Sequence, residues 1–356
     1  MNTQILPMLP PDIDVETKAV LRQLARANRA LAELKGYAES IPNKHILINA
    51  IMINEAKDSS AIENIITTHD ELFKAMSSDS VTNPNAKEVI NYRTALWHGY
   101  DLVKTQGILT ISMIIEIQAL IENNRAGIRK LPGTVLRNDY SGETVYIPPV
   151  GETLIRELLS NLEKYINEDN EDIDPLIKLA IIHYQFEVIH PFYDGNGRTG
   201  RIINVLYLVL KKMLDSPILY LSRYIIRNKS AYYRLLQEVR NINNWEEWII
   251  YILKGIEETA EETLRLVKRI NTEVELMFTE IKEKLPKIYS KELVELLFYE
   301  FYTKTIYIEK GLSVTRKTAV SYLTSLEKEG FLTSEKIGKE RIYQNKRLYD
   351  LVKTHQ

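Results

Sequence analysis

A glycine-rich segment of twelve residues between two apolar stretches constrains the fold of this chain more than any other feature. The segment runs from His190 to Arg201 and reads His-Pro-Phe-Tyr-Asp-Gly-Asn-Gly-Arg-Thr-Gly-Arg. The preceding stretch, 179–189, has the composition of a buried helix, and a second apolar run begins after Arg201. The pattern therefore predicts two core helices joined by a short loop.

This loop has the composition of an anion-binding site. Gly195 and Gly197 permit close backbone approach, so that successive N–H groups can point into one concavity at the start of the next helix. Free amide groups and the helix dipole, equivalent to roughly +0.5 elementary charge, attract phosphates to such a concavity. Arg198 and Arg201 lie one helical turn apart, so both guanidinium groups can reach one phosphate chain.

Two further side chains bring chemistry to the loop. Asp194 is a hard carboxylate beside the expected phosphate position, as magnesium prefers. His190 is neutral near pH 7 and can take a proton from an incoming hydroxyl group. Each residue type alone is commonly a surface or hydrogen-bonded core group, but together at this spacing they indicate a polyphosphate site.

At these positions the chain resembles the Fic family, whose motif reads His-x-Phe-x-(Asp/Glu)-Gly-Asn-Gly-Arg-x-x-Arg. Every fixed position is matched, by His190, Phe192, Asp194, Gly195, Asn196, Gly197, Arg198 and Arg201. The resemblance implies transfer of AMP from ATP to a Ser, Thr or Tyr hydroxyl of a protein target, which can be the chain itself. The intact Gly-Asn-Gly-Arg sequence argues against the Doc branch, which phosphorylates.

The resemblance also implies a role for each motif residue. His190 would be the catalytic base and Asp194 the ligand of Mg²⁺. Arg201 would contact the γ-phosphate of ATP. The rest of the ATP phosphate site would consist of Gly195, Asn196, Gly197 and Arg198.

The segment Ser59 to Asn64 resembles the family's inhibitory motif, (Ser/Thr)-x-x-x-Glu-(Gly/Asn), here upstream of the catalytic motif. Ser59 and Glu63 are spaced to share one face of a short helix. The resemblance implies that Glu63 pairs with Arg201 and occupies the place of the γ-phosphate, which holds the enzyme at low activity. An ordinary helix with a solvated Glu63 is the alternative. In some relatives the equivalent glutamate also supports AMP removal, and the sequence leaves this open.

Length and composition predict a folded cytoplasmic protein of several domains. The 356 residues exceed what one hydrophobic core usually serves. The absence of cysteine excludes disulfides and cysteine-ligated zinc sites. The first residues lack the layout of a signal peptide, and no apolar run has the length of a membrane span. We therefore expect no membrane attachment.

Apolar periodicity along the chain predicts a mainly α fold. Residues 1–105 would form an N-terminal helical region carrying the inhibitory motif, and residues 106–260 the Fic catalytic core. A first helix is expected to end at Gly36, and Asp174-Pro175 has the cap and proline of the helix that leads to His190. Further helices are predicted over 44–57, 68–76, 84–103 and 111–123.

One β signal interrupts this helical region, over residues 133–149. Thr134 to Arg137 and Thr144 to Ile147 flank a turn at 141–143, which predicts a hairpin. In the family a hairpin at this place is the flap whose edge holds the target segment by strand addition. A plain surface hairpin is the alternative.

Two adjacent tyrosines follow the motif on a predicted helix. The resemblance implies a tyrosine here against the nucleotide base, with Tyr232 as first candidate and Tyr233 as second; core packing of both rings is the alternative. Relatives often carry an asparagine eight residues further on, where this chain has Arg240 followed by Asn241. This departure leaves the choice of base open.

Beyond a helical linker at 261–285, residues 286–356 resemble a winged helix. We expect helices over 290–302 and 314–329, an extended piece at Ile306 to Ile308, and a hairpin over 331–343 that turns at Gly338-Lys339. This region contains 10 Lys and 3 Arg against 8 Glu and 1 Asp, a net charge of +4.

Winged helices commonly bind DNA with one helix in the major groove and the wing on the backbone. The expected contacts would be Arg316, Lys317, Lys336, Lys339 and Arg341. Such modules also serve in protein docking or dimerisation, and relatives with an upstream inhibitory helix frequently form homodimers. A second hypothesis is therefore a nucleotide-responsive DNA-binding regulator with weak or no transfer. The intact His190 favours an enzyme, because a pure nucleotide sensor would need the phosphate site but no catalytic base. A third is transfer of another group from a pyrophosphate-bearing donor.

Overall fold

A computed structural model describes residues 6–39, 41, 44–77, 83–137, 144–168, 173–299, 302–337 and 340–353. Within these residues the chain is mainly helical, with two small antiparallel sheets, which confirms the predicted mainly α class. None of the helices described here combines the length and the hydrophobicity of a membrane span.

The elements follow one another in three groups. The first comprises α1 (Lys18–Glu39), α2 (Lys44–Ile62), α3 (His69–Ser77), α4 (Pro84–Gln106) and α5 (Ile111–Glu122). The second comprises β1 (Leu136–Arg137), β2 (Thr144–Tyr146), α6 (Glu152–Asn167), α7 (Pro175–Ile189), α8 (Asn196–Leu210), α9 (Leu221–Arg227), α10 (Lys229–Ile242) and α11 (Trp245–Lys284). The third comprises α12 (Lys291–Tyr299), β3 (Tyr302–Lys304), α13 (Thr305–Gly311), α14 (Arg316–Lys328), β4 (Leu332–Ile337), β5 (Glu340–Asn345) and α15 (Lys346–Lys353).

The two helices that flank the glycine-rich loop form the centre of the core. In α7, 13 of 15 residues are buried, and α8 is buried over most of its length. Helices α4, α5, α6 and α11 pack against this pair. An apolar sequence on every face of α7 is the reason, since such a helix cannot present a face to water.

Helix starts follow the signals in the sequence. Asp174 accepts a hydrogen bond from the Leu176 amide at 2.8 Å, with Pro175 at the first helical position of α7. At the start of α3, the Glu71 carboxylate accepts from the Thr68 amide at 2.8 Å, and the Thr68 hydroxyl accepts from the Glu71 amide at 3.2 Å. This pair is a capping box, which fixes where α3 begins.

Two helix ends differ from the prediction. Helix α1 continues through Gly36 to Glu39, because one glycine weakens an exposed helix without ending it. Helix α2 extends past residue 57 to Ile62, so Ser59 lies in its last turns and Glu63 directly follows it. The segment is therefore the end of a long buried helix and not a separate short one.

The flap hairpin pairs Leu136 with Tyr146 and Arg137 with Thr144. Its predicted turn at 141–143 lies outside the described residues, as does the turn at Gly338-Lys339. In the third group, β3, β5 and β4 form an antiparallel sheet in that order.

The expected extended piece at Ile306 to Ile308 is wrong. These residues begin helix α13, and the strand lies just before them at Tyr302–Lys304. Ile308 is buried, whereas Ile306 and Tyr307 are exposed. So short an apolar run cannot distinguish strand from helix, and packing decides it.

The third group packs on α2 and α3, which precede the glycine-rich loop, and on α11, which follows it. The Phe73 ring of α3 lies 5.5 Å from both the Tyr302 and the Tyr349 ring centroids. The Asn49 side chain of α2 donates to the Tyr299 carbonyl at 2.8 Å. Helix α11 runs without interruption across the predicted linker at 261–285, so the boundary at residue 260 falls inside one helix.

Substitutions at two helical glycines should change the stability of the protein in opposite directions. Gly99 lies where α4, α5 and α8 pack closely, whereas Gly36 lies on an exposed position of α1. A Cβ atom on Gly99 would lie 2.7 Å from Leu206 Cδ1 and 2.9 Å from Ile117 Cδ1. We expect Gly99→Val to lower the free energy of unfolding by about 1–3 kcal/mol through overpacking. The control is Gly36→Ala, which meets nothing within 4 Å and should raise it by up to about 1 kcal/mol. Urea unfolding measures both, and equal signs would contradict the packing.

Candidate active site

The glycine-rich loop is closed by one buried side chain. The Asn196 Oδ1 accepts from the Phe192 amide and its Nδ2 donates to the Phe192 carbonyl, each at 2.9 Å. Gly195 has φ 78°, a left-handed conformation that favours glycine, and it precedes the first residue of α8. The loop therefore points the amide end of α8 toward the site.

His190 ends helix α7 in a left-handed conformation, with φ 49° and ψ 58°. Its Nδ1 lies 3.3 Å from the Glu187 carbonyl oxygen, which can only accept, so Nδ1 carries the proton and Nε2 the lone pair. Burial lowers the pKa of His190 to about 4. The ring is therefore neutral at pH 7, as a general base requires.

Arg201 lies 3% exposed in α8 and is held from α2. Its Nε donates to Ser59 Oγ at 2.8 Å, and its Nη2 donates to the Ser59 carbonyl at 2.9 Å and to Glu63 Oε1 at 2.8 Å. Burial would raise the pKa of Glu63, but the charge and hydrogen bonds of Arg201 lower it below the ordinary value. We call this set, Ser59, Glu63 and Arg201, the α2 latch.

The α2 latch borders the anion-binding loop directly. A Cβ atom on Gly197 would collide with Glu63 Oε1, so the carboxylate packs against the backbone of the loop. Asn64 follows with φ 63°, which turns the chain away after the end of α2. Lys229 Nζ donates to the Ile62 carbonyl at 2.6 Å and satisfies that end of the helix.

Arg198 is held by two carboxylates that no local sequence pattern predicted. Its Nη1 donates to Glu88 of α4 and its Nη2 to Glu122 of α5, each at 2.7 Å. Its Nε is buried without a hydrogen-bond partner among the described residues. Burial raises the pKa of Glu122, and Arg198 opposes this shift.

Asp194 accepts from the Gly195 amide at 2.7 Å, beside the loop. The described residues contain no group of three or more His, Asp or Glu side chains that could hold a metal ion. A single carboxylate nevertheless fits magnesium, which is usually held by one or two carboxylates together with substrate phosphates and water.

The two tyrosines occupy different places. Tyr232 is 2% exposed, its hydroxyl forms a 2.9 Å hydrogen bond with the His183 ring, and it packs against Trp248. Tyr233 is 41% exposed. The ring of Tyr232 is therefore part of the core, and between the two only Tyr233 presents a ring to solvent. Arg240 lies over the Tyr146 ring of the flap at 4.6 Å.

The predicted DNA contacts of the third group that the structure describes are all exposed. Arg316 and Lys317 are exposed in the first turn of α14, and Lys336 is exposed on β4. Arg341 lies 3.6 Å from the Glu327 carboxylate. Lys339 lies outside the described residues.

Three family models match the chain. The model described as Fic/DOC family N-terminal matches residues 21–101, and the Fic/DOC family model matches residues 108–208. The model described as protein adenylyltransferase SoFic-like, C-terminal domain, matches residues 274–348. The chain therefore belongs to the Fic family.

Curated relatives share part of their length with this chain. The Caenorhabditis elegans protein adenylyltransferase fic-1 is 28% identical over 121 residues, which are 34% of this chain and 22% of that protein. A probable protein adenylyltransferase of Aquifex aeolicus is 28% identical over 244 residues, 64% of this chain and 68% of that protein. The chain thus spans about a fifth of the former relative and two thirds of the latter.

Solved structures support the fold. A Fic family protein from Desulfovibrio desulfuricans G20 has a TM-score of 0.59 at 18% identity, with coverage of 95% of this chain and 98% of that one. Fic-1 from Caenorhabditis elegans has a TM-score of 0.55 at 20% identity, with coverage of 70% and 74%. At such identities the similarity establishes the fold alone.

A buried carboxyl beside the α2 latch predicts a pH effect on stability. Burial raises the pKa of Glu187 from 4.5 to about 7. Between these values the folded state holds a proton that the unfolded state releases, so this residue's contribution to stability falls as pH rises through the window. The free energy of unfolding of Glu187→Gln, minus that of the unaltered chain, should therefore increase by roughly 3 kcal/mol from pH 5 to pH 8.

Urea unfolding at the two pH values measures this difference. Glu261→Gln, on an exposed position of α11, is the control for the exchange itself. If the difference in free energy of unfolding between Glu187→Gln and the unaltered chain stays constant or decreases from pH 5 to pH 8, Glu187 is ionised in the folded state over this range.

Proposed function

We propose that this chain transfers AMP from ATP to a hydroxyl group of a protein and that the α2 latch holds this activity low. The observation that carries the proposal is the position of Arg201. It lies in α8, directly after the loop that begins at His190, and it is already paired with Glu63 at 2.8 Å. The names of the curated relatives, protein adenylyltransferases, support the same reaction class.

The proposed reaction needs one base and a place for the triphosphate. His190 Nε2 takes the proton of a Ser, Thr or Tyr hydroxyl, and the oxygen attacks the α-phosphorus of ATP. The bond from that phosphorus to the bridging oxygen breaks, and pyrophosphate leaves. The loop at Gly195 to Gly197, at the start of α8, and the Arg198 guanidinium would stabilise the phosphate charge. Mg²⁺, held by Asp194, would neutralise further phosphate charge when bound.

Glu63 and the γ-phosphate of ATP would compete for Arg201. The guanidinium is buried, so it needs an anionic partner at all times, and Glu63 supplies one in the free protein. A charge-assisted hydrogen bond of this kind contributes about 1.5–3 kcal/mol, equivalent to roughly 10- to 100-fold in an equilibrium constant. Ser59 would remain bonded to Arg201 after Glu63 leaves.

The flap gives a protein target a place to bind. Among the described residues β1 pairs with β2 alone, so the other edge of β1 would allow addition of a target strand. Leu131 and Ile147 border it as exposed apolar residues, at 68% and 38%. Tyr233, the exposed member of the tyrosine pair, is the better candidate for contact with the base of the nucleotide.

DNA binding by residues 286–356 is the second candidate function. The exposed Arg316 and Lys317 in the first turn of α14 favour it, because the start of such a helix is where winged helices contact DNA. Homodimer formation and a cytoplasmic location stay predictions from the sequence.

Replacing the inhibitory carboxylate should increase labelling of protein by α-labelled ATP. We expect Glu63→Gly to raise the rate by about 10- to 100-fold, since Arg201 becomes available to the γ-phosphate. Mass spectrometry after incubation with ATP and magnesium should show an added AMP.

His190→Ala in the same background is the matched control and should remove the added mass. If Glu63→Gly leaves labelling unchanged, the α2 latch does not inhibit. If instead it abolishes release of AMP from previously modified protein, Glu63 acts in AMP removal. An added mass that corresponds to a different group would identify another donor.

Retention on DNA tests the second candidate function. If Arg316 and Lys317 neutralise phosphates, binding should weaken with salt, and the double variant Arg316→Ala, Lys317→Ala should reduce the slope of log affinity against log salt by about 2. The test measures affinity for a DNA duplex at several salt concentrations. Retention that is independent of salt, or equal in the double variant, would exclude this surface as a DNA site.

A further inference from the structure

One arginine outside the motif lies between the flap and the catalytic histidine. Arg129 follows α5 and precedes β1, and it is 1% exposed. Its Nε donates to the His190 carbonyl at 2.8 Å, and its Nη2 donates to the carbonyls of Ile189, at 3.3 Å, and of Pro149. Its backbone amide donates to the Pro191 carbonyl at 2.9 Å.

These contacts act on the end of helix α7. The last carbonyls of a helix have no hydrogen-bond donor inside the helix and carry a partial negative charge. A cationic donor supplies the missing hydrogen bond and also compensates this charge. Arg129 does this for Ile189 and His190. Because the guanidinium is planar, it fixes the direction of both carbonyls at once.

The conformation so held is an unusual one. His190 has φ 49°, which residues with a Cβ atom seldom adopt. The backbone there determines where the imidazole points and whether Nδ1 can reach the Glu187 carbonyl, the contact that leaves Nε2 free as the base. By holding the His190 carbonyl, Arg129 therefore also helps to hold the position of the His190 ring.

The same guanidinium also joins the two ends of the flap segment. Arg129 itself lies before β1, and Pro149 lies just after β2. Tyr193 adds a parallel connection, since its hydroxyl accepts from the Lys130 and Leu131 amides at 3.0 and 3.2 Å. The base of the flap is therefore tied to the residues on either side of the histidine.

We propose that Arg129 is a positioning residue that holds the His190 ring in its reactive orientation and aligns the target-binding flap with it. This inference rests on the proposed AMP transfer for its kinetic consequence, and on geometry alone for the orientation of the ring.

Kinetics provide the first test. In the Glu63→Gly background, Arg129→Met should lower the maximal rate of self-labelling from α-labelled ATP by about 100-fold, because small displacements of a base have effects of that order. The apparent KM for ATP should change less than about 2-fold, because the phosphate loop is untouched. Arg129→Lys, which keeps the charge but not the fork of donors, should recover part of the rate.

The ring itself provides the second test, which needs no activity. In ¹⁵N-histidine spectra, with the His190 signals assigned from their loss in His190→Gln, Arg129→Met should shift the ring from the Nδ1-protonated form toward a mixture of tautomers. Arg240→Met is the matched control: Arg240 donates to the flap carbonyl of Val145 at 3.2 Å without bonding His190, and the signals should stay unchanged.

The outcomes separate this inference from the proposed function. If the Glu63→Gly parent labels nothing, AMP transfer fails, and the spectra alone decide the role of Arg129. Unchanged His190 signals in Arg129→Met overturn the inference, as does a parent-like maximal rate. If Arg129→Met does not fold, the same two measurements are made on Arg129→Lys. The inference is overturned if Arg129→Lys has both the His190 signals and the maximal rate of the parent.

Discussion

The pairing of the buried Arg201 with residues of α2 is the interaction on which the site depends. A guanidinium this deep in a protein must have compensating partners, since an unpaired buried charge costs several kcal/mol, roughly 3–5 when one partner is removed. Ser59 and Glu63 provide those partners through three hydrogen bonds. Arg201 is therefore paired without a nucleotide, and under the proposed function the γ-phosphate would have to replace Glu63.

Helix α2 is also a central element of the fold, and this restricts how the latch could open. It is buried over 15 of its 19 residues and holds polar groups along its length. Asn49 bonds the Tyr299 carbonyl, and Glu55 accepts from the Tyr92 hydroxyl at 3.0 Å and from the Ser222 amide at 3.1 Å. Removal of the whole helix would expose all these groups unpaired. Under the proposed function, opening would therefore occur at the end of α2, where the Glu63 amide makes only a single-turn bond to the Ser60 carbonyl at 3.0 Å and Asn64 leaves the helical conformation.

Features of the fold that depend on neighbouring residues were predictable. The capping box at Thr68, the cap and proline at Asp174, and the two buried helices around His190 all express local backbone chemistry or periodicity. Predictions failed where packing outweighed local preference. The strand expected at Ile306 to Ile308 is a helix because Ile308 faces the core there, and Gly36 did not end α1.

The sequence by itself determined the family, the composition of the anion loop and the spacing that brings Ser59 and Glu63 to one helix face, because these are properties of adjacent residues. Only the tertiary structure decided which distant groups meet: Glu88 and Glu122 on Arg198, and Arg129 on the carbonyl of His190. It also placed Tyr232 in the core. Such contacts join elements far apart in the chain. The residues next to a single glutamate, arginine or tyrosine do not indicate which distant group it will contact.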